Sequence, residues 1–142
     1  MAMIRCLFRE PEFPVVCDAP AGLVGATSLR DFAAQVDPLG LPPGENLPLV
    51  DASAEGWVFN TQHCVLSPLT LKKRWTKKEV IAMFNGSDAA RKLGGKYSER
   101  SLSAKRFDRI LGEIVSLIQS ANNTSELTSG GRADAPPGGS ST

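Results

Sequence analysis

A chain of 142 residues and 15.1 kDa, 42% hydrophobic, holds material for one apolar core and is too short for a multidomain enzyme. Its 16 basic and 15 acidic side chains leave a net charge of +1, which argues against polyanion binding through bulk charge alone. No apolar run approaches the ~20 residues that cross a bilayer, and Arg5, Arg9, Glu10 and Glu12 interrupt the stretch where a signal peptide needs unbroken apolar character. Cys6, Cys17 and Cys64 are too few, and odd in number, for a disulfide scaffold, so the expected setting is the reducing cytoplasm.

Residues 3–8 read as a first strand ended by Pro11 and Pro14, with Cys6 inside its apolar run. A helix starts at Ser28, where Ser28 and Asp31 approximate a capping box and Leu29, Phe32, Ala33 and Val36 recur at helical spacing. Asp37-Pro38 stops it, and residues 40–48 form a loop rich in Pro and Gly. Leu49-Val50 and Trp57-Val58-Phe59, separated by a turn-like SAEG, predict a hairpin in which Asp51 and Glu55 are solvated turn residues. A third strand is expected around Cys64 to Leu66, with Cys64 a small core residue.

After Pro68 the pattern turns helical. Thr76 and Glu79 form a T-x-x-E capping box, Trp75 and Val80 occupy the positions of a hydrophobic staple, and Asn85-Gly86 supplies a stop. A short helix follows over 87–93. A last one is capped by Ser103, with Phe107, Ile110, Leu111, Ile114, Val115 and Ile118 on one stripe that faces the core or serves as a homodimer seam. The Ser-, Gly- and Pro-rich segment over 119–142 buries too little apolar surface to offset chain entropy and reads as a disordered tail. The expected architecture is one α+β domain over 1–118: a small antiparallel sheet, hairpin or three-stranded meander plus N-terminal strand, packed against C-terminal helices.

Charge by segment is far from even. Residues 1–69 carry three basic and eight acidic side chains, residues 70–110 twelve and four, and residues 111–142 one and three. The most charged stretch is Lys72-Lys73-Arg74-Trp75-Thr76-Lys77-Lys78; Arg91, Lys92 and Lys96 extend it. A phosphate-contacting edge with Trp75 stacked on a base is one reading, and a solvated helix start with Trp75 as staple is the other. Cations in a first helical turn are unfavourable by ~0.3–1 kcal/mol each when exposed, so helix stability does not account for Lys77 and Lys78.

The segment 76–93 resembles the helix-turn-helix of DNA-binding proteins: Thr76, Glu79, Val80, Phe84 and Ser87 fall on its cap and core positions. It departs at Asn85, where the turn glycine stands, at Gly86 and Arg91, where apolar residues pack, and at Ile81, where a small residue is usual. Gly94-Gly95-Lys96 is no P-loop, since Ala90 and Tyr97 stand where Gly and Ser or Thr are required. His63 and Cys64 would face opposite sides of a strand, and no C-x-x-C supports a metal site. The residues point to a small non-catalytic binding or regulatory protein, without cofactor or metal, whose basic half over 70–110 contacts a nucleic acid or an acidic protein surface. The competing reading is an enzyme or accessory subunit with a pocket built from distant residues.

Overall fold

The computed structural model describes residues 4–68, 70, 72–94, 97 and 105–131, with side chains as far as Asn122. The elements are β1 (Arg5–Cys6), β2 (Val15–Ala19), β3 (Gly22–Ala26), α1 (Leu29–Val36), β4 (Asn46–Val50), β5 (Gly56–Asn60), β6 (Val65–Ser67), α2 (Lys77–Asn85), α3 (Asp88–Lys92) and α4 (Phe107–Gly131). The strands form one sheet in the order β1-β6-β5-β4-β2-β3, antiparallel except where β1 lies parallel to β6. The fold is α+β, and none of the described helices is long and apolar enough to cross a membrane.

Successive strand residues point to opposite faces, and here both faces are covered. Val15, Cys17 and Ala19 of β2 join one apolar cluster with Phe32 and Val36 of α1, Leu49 of β4 and Trp57 and Phe59 of β5. Phe32 meets Phe59 edge-on, with ring centroids 5.1 Å apart. Val16, Leu23 and Val50 face the other way, against Val80, Ile81 and Phe84 of α2 and Ile110, Leu111, Ile114, Val115 and Ile118 of α4. The predicted caps are present: Ser28 accepts from the Asp31 amide, both halves of the Thr76–Glu79 box form, and Ser87 accepts from the Ala90 amide.

Three expectations change. The sheet exceeds a meander because 15–26 folds into β2 and β3; their residues are buried on both faces, so no polar alternation marks them. The first helix covers the sheet face opposite to the C-terminal helices. The final helix passes the expected boundary at 118: Ala121 is buried, and the Gln119 side-chain Nε2 donates to the Gly25 carbonyl (3.0 Å) and to Asp31 Oδ2 (2.9 Å). Gly25 belongs there because a Cβ would crowd the Val115 backbone at 3.1 Å. Ser103 and residues 132–142 lie outside the described residues. The stripe expected as a possible homodimer seam is covered by the protein's own sheet, because Ile110, Leu111, Ile114 and Ile118 are fully buried within one chain.

A polar cluster anchors the start of α4 to α2. The Asn85 side chain donates to the Tyr97 carbonyl (3.1 Å) and accepts from the Tyr97 amide (2.7 Å). The Tyr97 hydroxyl donates to Glu113 at 2.5 Å, and Lys105 and Arg109 reach the same carboxylate at 2.7 and 3.3 Å. Lys105 first, then Tyr97 and Arg109, bring the Glu113 carboxyl down to about 2.

Ile114→Ala is expected to cost about 2–5 kcal/mol in denaturant unfolding, independent of protein concentration because the stripe is intramolecular. A loss that varied with concentration would restore the seam. For Glu113 the folded value lies below the unfolded one, so its stabilisation is present above about pH 4.5 and disappears as pH falls through about 2. The stability gap between wild type and Glu113→Gln should therefore close across that window; parallel acid-denaturation curves would contradict it.

Candidate functional site

Asp51 organises the β4–β5 turn. Its side chain is wholly buried, and five donors converge on it. The Ser53 amide (2.9 Å), the Ser53 hydroxyl (2.6 Å) and the Glu55 amide (3.1 Å) reach Oδ1; the Glu12 amide and the Trp57 indole, both at 3.0 Å, reach Oδ2. This overturns the reading of Asp51 as a solvated turn residue. The local contacts amount to an Asx turn, which leaves the carboxylate facing inward with its acceptor capacity filled. Glu55 is partly covered as well, paired with Arg9, whose guanidinium lies 5.1 Å from the Trp57 ring centroid.

The turn holds the basic segment. The Gly56 amide donates to the Lys73 carbonyl (2.9 Å), the Trp75 amide to the Ala54 carbonyl (2.8 Å), and Glu55 and Arg74 form an antiparallel bridge. Arg74 Nη1 also donates to the Ser53 carbonyl at 3.3 Å. This ladder passes so close that a Cβ on Gly56 would overlap the Lys72 carbonyl. The chain then enters α2, with Lys77 and Lys78 in the first turn.

The cations fall into distinct environments. Lys72 pairs with Glu79 at 2.5 Å and lies 4.9 Å from the Trp75 ring centroid; its hydrogen bond, and then that of the Thr76 amide, lowers the Glu79 carboxyl. Trp75 is half-buried against the α2–α4 cluster, as a staple residue is, with that ammonium over its ring. Lys73, Arg74 and Lys78 are exposed, and Lys77 is half-buried. Arg91 is exposed and pairs with Asp88, while Lys92 lines a separate pocket of about 240 Å³ with Asp88, Gln35 and Gly22. Lys96 lies outside the described residues. Residues 72–78 are thus one strip, and Arg91 and Lys92 do not belong to the cleft beside it. The helix-turn-helix likeness ends at the caps: α3 has only five residues, and Arg91 is exposed where that motif packs an apolar residue.

Beside the strip lies an open cleft of about 710 Å³, lined by Glu12, Phe13, Lys77, Arg106, Phe107 and Asp108 together with Pro14, Ala52 and Ser53. It lies where the start of β2, the β4–β5 turn and the first turns of α2 and α4 meet. Sequence reasoning picked out Lys77 alone among these, because the others come from segments far apart in the chain. His63 is exposed and its amide bonds the Asn60 side chain, while Cys64 is half-buried with φ +54° and points its thiol toward the Thr61 carbonyl. Burial raises the thiols of Cys6 and Cys17. No described group of three or more His, Cys, Asp or Glu is placed to hold a metal ion. No protein-family model, curated protein or solved structure matches this chain.

Gly56→Ala should destabilise the fold by about 1–3 kcal/mol, since the added methyl must push the strip's backbone off the turn. Hydrogen exchange at the Gly56 and Trp75 amides should accelerate more than at strand-centre amides of β4. Unchanged protection at both amides would show that the ladder does not hold the strip.

Proposed function

We propose that this chain is a small non-catalytic binding protein of the cytoplasm. Its basic segment over 70–110 contacts an anionic partner, with Lys73, Arg74, Lys77 and Lys78 as the principal contacts. The reading is carried by one observation: the strip's backbone is fixed to the β4–β5 turn, while Lys73, Arg74 and Lys78 have no acidic partner among the described residues. Lys73 and Lys78 make no side-chain hydrogen bond or ion pair among the described residues, and Arg74 bonds only the Ser53 carbonyl. Other basic side chains have acids beside them, as Lys72 has Glu79, Arg91 has Asp88 and Lys105 has Glu113. Placing Lys77 and Lys78 in the first turn of α2 opposes the helix dipole. A row of outward cations on a rigid backbone suits a nucleic acid, whose phosphates repeat at regular intervals and release counterions when neutralised.

Three to four phosphate contacts predict that log K for duplex DNA falls with log salt with a slope of about −2.7 to −3.6. Replacing Lys77 and Lys78 by Gln should reduce its magnitude by about 1.8. Fluorescence anisotropy with labelled oligonucleotides between about 50 and 200 mM salt reads both quantities. An absence of binding at the lower salt with tens of micromolar protein would exclude nucleic acid and leave an acidic protein surface as the partner.

A further inference from the structure

We infer that the cleft beside the strip receives an unstacked nucleobase from a single-stranded nucleic acid, and that Glu12 selects bases bearing an exocyclic amine. This rests on the strip reading above and adds a binding pocket and a base preference to it. The cleft combines three chemistries. Phe13 belongs to the α1-side core cluster and Phe107 to the α2–α4 cluster; both are only half-buried and line the cleft, so ring surface is available for a flat apolar ligand. Lys77, in the first turn of α2, and Arg106, whose side chain is 90% exposed, supply cations for the flanking phosphates.

The two carboxylates differ. Asp108 is engaged, accepting from the Arg109 amide at 2.9 Å and lying 3.6 Å from Arg106. The Glu12 carboxylate has no hydrogen bond or ion pair among the described residues, while its backbone is fixed on both sides. Its amide donates to Asp51, and its carbonyl accepts from the Ala52 amide at 2.8 Å. A positioned, unused carboxylate is an acceptor for an amino group such as cytosine N4. Thymine presents one N–H between two carbonyl oxygens, and those oxygens repel a carboxylate. A duplex keeps its bases stacked and cannot deliver one to the cleft without unpairing it.

Anisotropy titrations with oligocytidylate and oligothymidylate of equal length, and with a duplex of that length, test the assignment at about 50 mM salt. The single-stranded oligocytidylate should bind about ten-fold more tightly than oligothymidylate, and more tightly than the duplex. Glu12→Gln, at an exposed side chain with no hydrogen bond or ion pair among the described residues, should bring the C-over-T preference below about two-fold while leaving the salt slope set by the strip unchanged. Equal binding of the two oligomers with the steep salt slope intact would overturn the cleft and spare the strip. A preference that survives Glu12→Gln would overturn the role of Glu12. No binding of any oligonucleotide would overturn the cleft assignment and remove nucleic acid as the strip's partner.

Discussion

A single buried carboxylate sets the geometry of the end of this protein that carries the basic strip. Asp51 gathers donors from the turn that follows it, from the segment before β2 and from the indole of Trp57 in the core. Removing a buried acceptor of this kind leaves several donors unsatisfied at once, which costs more than the hydrogen bonds themselves contribute. The turn it shapes is the surface on which residues 73–75 lie, and those residues fix where α2 begins. The same carboxylate holds Glu12 through its amide, so the wall of the cleft and the basic strip share one reference point.

That arrangement resolves the uneven charge along the chain into two kinds of cation. Arg91, Lys105 and Arg109 sit within reach of acids on their own or neighbouring helices and serve the fold. Lys73 and Arg74 on the extended segment stay exposed beside a turn whose own acids are occupied: Asp51 by the five donors, Glu55 by Arg9. Net charge near zero therefore conceals a locally positive edge, produced by where acids are tied up rather than by how many there are.

The sequence made the helices legible and half of the sheet obscure. Ser28, Thr76 and Ser87 announce helix starts through caps that act over three residues, and the stripe from Phe107 to Ile118 announces a buried face through periodicity. β4 and β5 carried a turn between two apolar runs. β2 and β3 did not announce themselves, because helices cover both of their faces and Asp18 and Gly25 break their apolar runs. The strip was visible as composition. The cleft was not, since Glu12, Ser53, Lys77 and Arg106 meet only after the chain has folded, and Asp51 was misread because an Asx turn looks the same in sequence whether its carboxylate faces water or protein.

Gln119 joins an outer strand to the last helix, and this has a bearing on solution behaviour. β3 ends the sheet on one side, and in an antiparallel pair every second residue turns its amide and carbonyl away from its partner strand. The Gly25 carbonyl is one such group, and a side-chain amide from α4 occupies it. The helix thus does more than wall the core. It guards a flank on which another copy's backbone could otherwise propagate the sheet from molecule to molecule. Cover of that flank is in this way tied to the integrity of one helical turn around Gln119, a region whose composition alone reads as dispensable.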